Sequence, residues 1–208
     1  MFILAGIQIA FALLLAVLYY FNRDKVTESF VVDFFGSRTV SRRWLYYGAI
    51  AMLVVSAVFN IMTLFFGAIA TYFQAAVILP FVVLVAGVFL RVTDYRLTLT
   101  VLGLAVVLAI GGVAAIWNRM FGMIGILIGL IPAVLVGVYG YTTRALTTRF
   151  EKISGYLILL TYLIPVFAAV LNTLMKYVVL SGISYMLLPL GLFINLFVVS
   201  LFLIFEMV

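Results

Sequence analysis

Residues 2–21 read FILAGIQIAFALLLAVLYYF, a run that contains no charged side chain. An α-helix of about 20 apolar residues is about 30 Å long, which matches the hydrocarbon thickness of a bilayer. The run has neither a basic leader nor a small-x-small cleavage site. It therefore predicts a retained membrane span rather than a signal peptide.

The rest of the chain has the same character, because 68% of its 208 residues are hydrophobic, 9% are charged and the mean hydropathy is +1.41. Soluble domains carry about 25% charged residues, so only a bilayer suits this composition. We predict an all-α integral membrane protein with residues 1–208 forming one seven-helix domain. The predicted spans are 2–21, 45–66, 70–90, 97–116, 120–141, 155–179 and 183–205.

Basic residues are distributed unequally between the connections, with ten in connections one, three and five and two in the others. The ten are Arg23, Lys25, Arg38, Arg42, Arg43, Arg91, Arg96, Arg144, Arg149 and Lys152, and the two are Arg119 and Lys176. Because cytoplasmic loops are enriched in Lys and Arg, this predicts an outside N-terminus and a cytoplasmic C-terminus.

The first connection, residues 22–43, is the longest and has a pattern of its own. Val26, Phe30 and Phe34 recur every four residues, which predicts a short amphipathic helix lying in the membrane interface. Arg42, Arg43 and Trp44 follow it and predict a basic and aromatic anchor at the membrane surface. A simple cytoplasmic elbow is the alternative.

A few amides and hydroxyls interrupt the apolar segments, where an unpaired polar group is unfavourable. They predict either a path for a neutral solute or hydrogen bonds that hold helices together. These candidates are Gln8, Asn60, Gln74, Thr161, Asn172 and Asn195. From the predicted spans, Asn60 and Asn172 lie at similar depth, so we expect their side chains to meet.

Prolines inside four segments predict kinks, because each proline frees a backbone carbonyl that protein or water must satisfy. They are Pro80, Pro132, Pro165 and Pro189.

Two stretches suggest an internal repeat: AVFN at 57–60 and AVLN at 169–172. Aligning segments one to three with five to seven gives units 1–96 and 120–208, with 97–116 as a linker helix. A single linker helix between two three-helix units gives both units the same orientation in the membrane. This arrangement resembles the parallel repeat of SWEET sugar transporters. Chance similarity is the alternative, since membrane segments of simple composition align readily with one another.

The composition also excludes several kinds of chemistry. With no cysteine and no histidine, the chain offers no thiol nucleophile, disulfide or His-based metal or haem site. Its six carboxylates lie in connections or at segment ends. We therefore predict a protein that is not an enzyme and has no cofactor. The formal charge of +6 is explained by membrane orientation, so we predict no nucleic-acid partner.

Three functions fit these observations. The first is a facilitative transporter or channel for a neutral or weakly charged small solute. The second is a non-catalytic subunit of a larger membrane complex, and the third is a seven-helix sensor that signals through a partner protein. The predicted partners are the lipid bilayer and either other membrane subunits or further copies of the chain. The predicted location is the plasma membrane.

Overall fold

The computed structural model describes residues 1–26, 29–33, 37–92, 95–115, 117–143, 146–174 and 181–207. Six stretches of 21 to 24 residues are long and apolar enough to cross a membrane, and a shorter apolar helix makes a seventh. The chain is therefore an integral, multi-pass membrane protein, and the predicted seven-helix membrane class is confirmed.

The elements follow one another in the order α1 (Phe2–Asn22), β1 (Ser29–Asp33), β2 (Ser37–Ser41), α2 (Arg43–Phe66), α3 (Ala68–Phe89), α4 (Tyr95–Ala114), α5 (Arg119–Ile128), α6 (Leu130–Thr142), α7 (Arg149–Leu174) and α8 (Ser181–Met207). The fifth span consists of α5 and α6 together.

Contacts between the connections show that successive spans alternate in direction. Lys25 Nζ, just after α1, donates to the carbonyl of Met207 at 3.2 Å, and Thr143 Oγ1 donates to the carbonyl of Leu90 at 3.1 Å. The ends of α1, α3, α6 and α8 and the starts of α2 and α7 thus share one end of the bundle. We call it the basic end, because most of the Lys and Arg residues that the structure describes lie there, and we call the other the opposite end. The basic end is the predicted cytoplasmic side.

Helix α3 is the centre of the bundle. In the apolar stretch of α3, 78% of the residues are buried, against 28% in that of α1. Helix α3 packs against α2, α4, α6, α7 and α8. A helix surrounded by protein needs no amphipathic pattern, which explains why α3 is apolar on every side. Polar atoms on α3 consequently face other helices rather than lipid.

The first connection corrects one prediction, because its described part contains no amphipathic helix. Ser29–Asp33 and Ser37–Ser41 form an antiparallel β-hairpin, with Phe30 opposite Val40 and Val31 opposite Thr39. The β-branched residues of both strands favour this pairing over a helix. The four-residue spacing of Val26, Phe30 and Phe34 was therefore misleading, and Phe34 lies outside the described residues.

The fifth span, predicted as residues 120–141 with a kink at Pro132, is divided into two helices at Gly129. Helix α5 ends at Ile128 and α6 begins at Leu130, so Pro132 lies in the first turn of a new helix, a position that tolerates proline. Gly129 forms the joint, and its carbonyl accepts a hydrogen bond from Tyr162 Oη at 3.0 Å. Helices α3, α7 and α8 continue through Pro80, Pro165 and Pro189.

Candidate functional site

Four polar side chains meet inside the bundle between α1, α2 and α3. Gln8 Nε2 donates to Ser56 Oγ at 2.7 Å, and Asn60 Nδ2 donates to Gln8 Oε1 at 2.7 Å. Gln74 Nε2 donates to Ser56 Oγ at 2.8 Å and to Asn60 Oδ1 at 3.3 Å. None of the four side chains is exposed, so the network is sealed from both lipid and water.

A second polar pair joins α7 to α8. Asn195 Nδ2 donates to Thr161 Oγ1 at 2.9 Å and, more weakly, to the carbonyl of Ile158 at 3.4 Å. Asn195 is fully buried. Helix α8 also packs against α3 and α2, the helices that carry three of the four residues of the first network.

The two groups lie at nearly the same depth. At 1.5 Å per residue, Gln8, Ser56 and Gln74 lie about 20–22 Å above the basic end of their helices, and Thr161 and Asn195 about 18 Å above it. We call these five residues and Asn60, which lies slightly higher, the polar layer. A layer at this depth lies in the hydrocarbon core of a bilayer.

Two amide oxygens of the polar layer have no hydrogen-bond partner: Gln74 Oε1 and Asn195 Oδ1. Most buried polar atoms in proteins are paired, and an unpaired one inside a membrane is strongly unfavourable. Each half of the polar layer therefore keeps one acceptor available for a hydrogen-bond donor.

The expected contact between Asn60 and Asn172 is not found. Asn60 bonds within the polar layer, whereas Asn172 Oδ1 has no partner and lies two residues from the end of α7. The reason is the start of α7, which is Arg149 and not residue 155 as predicted. Six extra residues move Asn172 about 9 Å closer to the opposite end.

The basic end holds a cluster of buried charges that no sequence pattern indicated. Arg42 Nη2 lies 3.1 Å from Glu151 Oε1, and Arg42 Nη1 lies 2.9 Å from Glu206 Oε1. The Arg42 and Glu151 side chains are each 8% exposed and that of Glu206 is 17% exposed. One guanidinium thus connects the start of α2 to the start of α7 and the end of α8. We call these three residues the ion-pair cluster.

Neighbouring groups complete the cluster. Tyr46 Oη donates to Glu206 Oε2 at 2.9 Å, and Arg91 Nη2 lies 3.6 Å from Glu151 Oε2. Arg91 follows the C-terminus of α3 and has a φ of 54°. This left-handed backbone conformation commonly ends helices and is usually adopted by glycine. The Arg42 guanidinium also lies 5.5 Å from the centre of the Phe89 ring, a favourable cation–π distance.

Glu151 owes its position to the local sequence Thr148-Arg149-Phe150-Glu151. The Thr148 amide donates to Glu151 Oε2 at 3.1 Å, and the Glu151 amide donates to Thr148 Oγ1 at 3.2 Å. This reciprocal pair is a capping box, which has the sequence pattern Ser/Thr-x-x-Glu and marks a helix N-terminus. The pattern could have located the start of α7 and with it Glu151.

The predicted membrane anchor behaves differently at each of its residues. Arg42 is buried in the ion-pair cluster, so its prediction as a surface anchor is wrong. Arg43 Nε donates to the carbonyl of the buried Val26 at 3.3 Å and thereby fixes the connection before the hairpin. Trp44 is 66% exposed at the start of α2, and its role as an interfacial anchor stays a prediction.

The described residues contain no group of three or more His, Cys, Asp or Glu side chains that could hold a metal ion. The side chains of the polar layer offer hydrogen-bond donors and acceptors, and those of the ion-pair cluster offer opposite charges in contact. Comparison of the chain with protein-family models, curated proteins and solved structures gave no match.

Proposed function

We propose that the protein is a small facilitative transporter or channel for a neutral solute that donates hydrogen bonds. The observation that supports this is the pair of unpaired amide oxygens, Gln74 Oε1 and Asn195 Oδ1. They lie on α3 and α8, which pack against each other, and differ in depth by about one helical turn. A solute with two donors satisfies both acceptors as it passes between these helices.

The ion-pair cluster supplies the closure that such a path needs at the basic end. Buried ion pairs contribute little net stability, since apolar residues of similar size are usually as stable or more so. Their attested uses include specifying one of two arrangements. Arg42 holds α2 against α7 and α8, and separating it from Glu151 and Glu206 opens this end of the bundle. The proposal includes two further expectations, that the chain has no catalytic activity and that it resides in the plasma membrane.

Solute flux into proteoliposomes tests the proposal. Flux of small polyols, amides and sugars should exceed that into protein-free vesicles, and Gln74→Leu and Asn195→Leu should each reduce it at least tenfold. Ser200→Ala is the matched control, because buried Ser200 bonds only the carbonyl of Leu196 in its own helix, at 2.9 Å. The proposal fails if correctly folded protein gives no flux over this panel, or if Ser200→Ala and the two leucine variants lose flux equally.

A second function, a subunit of a larger membrane complex, is favoured by a separate observation. Two exposed glycines have no neighbouring atoms packed against them. A Cβ on Gly6 of α1 or on Gly103 of α4 would meet no atom within 4 Å. Small residues on a helix face allow another membrane helix to approach closely, as in a subunit of a larger complex. Purification from native membranes in mild detergent separates the two functions, because a monodisperse single chain contradicts the complex.

A further inference from the structure

We propose that the groove between α6 and α7 at the basic end binds an anionic phospholipid. The groove has a volume of about 610 Å³, within the range of small-molecule sites in proteins. It is open to the membrane and is separate from the polar layer and the ion-pair cluster. The inference does not depend on the proposed transport function.

The walls of the groove suit an acyl chain. Val134, Val138 and Tyr141 lie along one face of α6, and Tyr156 of α7 faces them. Gly137 forms the floor, and its missing side chain leaves only Leu159 Cδ1, at 3.6 Å, near the Cβ position. From Thr142 at the basic end to Val134, the groove descends about 12 Å into the hydrocarbon core.

The charge at the mouth of the groove suits an anionic headgroup. Lys152 lines the groove one turn from Tyr156 and is half-buried, a placement that allows its stem to lie along the apolar wall and its ammonium to reach the surface. Its acidic neighbour Glu151 is already paired with Arg42 and Arg91. Among the residues that the structure describes, none forms an ion pair with Lys152 or Arg149. The net field at the mouth is therefore positive.

Charge and shape together favour an anionic over a zwitterionic lipid. Basic pockets between membrane helices are typical binding sites for anionic headgroups, and one Lys near the surface changes affinity about fivefold. A soluble phosphate ester lacks the acyl chain that fills the groove below Thr142. The occupant is thus a whole phospholipid.

Native mass spectrometry of the full chain, delipidated and exchanged into mixed phosphatidylglycerol and phosphatidylcholine, tests the inference. We expect retained phosphatidylglycerol, about fivefold less of it with Lys152→Ala, and a comparable loss with Gly137→Leu, which fills the groove. Arg23→Ala is the charge-matched control, since the Arg23 side chain is 59% exposed at the same end and lies outside the groove. Circular dichroism verifies that each variant is folded.

Three results overturn the inference. One is equal retention of the two lipids by the unmodified protein. Another is an equal loss on Arg23→Ala and Lys152→Ala, which indicates a general surface charge effect. The third is displacement of the lipid by millimolar glycerol phosphate, which shows that the headgroup alone binds.

Discussion

Arg42 and Glu206 stand in distant parts of the sequence, yet Arg42 Nη1 and Glu206 Oε1 lie 2.9 Å apart in a nearly closed environment. The same guanidinium contacts Glu151, so one positive charge bridges two carboxylates on two different helices, and Arg91, 3.6 Å from Glu151, supplies a second positive charge. This arrangement is sensitive to the loss of any single member, because a charge left buried without its partner is far more unfavourable than the intact pair.

Replacing Arg42 should therefore destabilise the protein strongly. For Arg42→Met we expect the free energy of unfolding to fall by about 3–5 kcal/mol, because Glu206 loses the guanidinium at 2.9 Å and Glu151 keeps only the longer contact with Arg91, at 3.6 Å. The combined variant Arg42→Met, Glu151→Gln, Glu206→Leu removes the charges together, and its stability should return to within about 1 kcal/mol of the original. Unfolding in sodium dodecyl sulfate, followed by circular dichroism, measures both. If Arg42→Met alone is as stable as the original chain, the ion-pair cluster is not formed.

The Tyr46 hydroxyl should contribute measurably to the same cluster. It donates to Glu206 Oε2 at 2.9 Å and lies 3.2 Å from the carbonyl of Leu203, in a fully buried position. A hydrogen bond to a charged group contributes about 1.5–3 kcal/mol, so we expect Tyr46→Phe to lower stability by that amount. Tyr20→Phe is the control, because Tyr20 is 64% exposed on α1. Equal effects of the two substitutions on unfolding would contradict this assignment.

A double-mutant cycle tests which amides are partners in the polar layer. Gln8 and Asn60 share a hydrogen bond of 2.7 Å, so Gln8→Leu and Asn60→Leu should be coupled by about 0.6 kcal/mol, with an upper limit near 2 kcal/mol. Asn60→Leu and Asn172→Leu should instead be additive, because the two residues lie at different depths and make no contact. Coupling between Asn60 and Asn172, with none between Gln8 and Asn60, would instead support the Asn60–Asn172 contact expected from the sequence.

The seven spans could be predicted because a bilayer imposes one strong requirement, long apolar helices, on every part of the chain. The pairing of their polar residues could not, since it depends on where each helix begins. A shift of six residues at the start of α7 separates Asn172 from the depth of Asn60 by about 9 Å. Gln8, Asn60 and Gln74 were recognised one by one as polar residues in apolar segments, but not as one network.

The ion-pair cluster escaped prediction for a different reason. Near a segment end, Arg42 resembles an interfacial anchor and Glu206 a solvated terminus, and nothing local distinguishes a buried charge from an exposed one. Only the packing of α2 against α8 brings them together. The hairpin was misassigned because a short apolar pattern fits either a helix or a strand, so the β-branched residues on both strands carried the better information.

Orientation in the membrane is still a prediction, and the chain is well suited to a test because it contains no cysteine. Leu146→Cys places a thiol at the basic end and Trp117→Cys one at the opposite end, at sites that are 69% and 82% exposed. A membrane-impermeant maleimide should label Trp117→Cys in intact cells and Leu146→Cys only after permeabilisation. The reverse pattern would show that the excess of basic residues does not set the orientation.

The joint between α5 and α6 should tolerate no side chain at Gly129. A Cβ there would lie 2.6 Å from Tyr162 Oη and 2.9 Å from the carbonyl of Ile126, so Gly129→Ala must displace the tyrosine hydroxyl from the carbonyl it bonds. Overpacking of this kind typically lowers stability by about 1–3 kcal/mol.

Tyr162→Phe removes the clashing hydroxyl together with its hydrogen bond, at a loss of about 1 kcal/mol by itself. Adding Gly129→Ala to Tyr162→Phe should therefore lower stability less than Gly129→Ala does alone, with the remaining loss due to the Ile126 carbonyl at 2.9 Å and Leu104 Cδ1 at 3.2 Å. Gly103→Ala provides the control, since no atom lies within 4 Å of its Cβ position. Alanine is more favourable than glycine inside a helix by up to about 1 kcal/mol, so this variant should not lose stability. Strictly additive losses at Gly129 and Tyr162 would show that the hydroxyl does not occupy the joint.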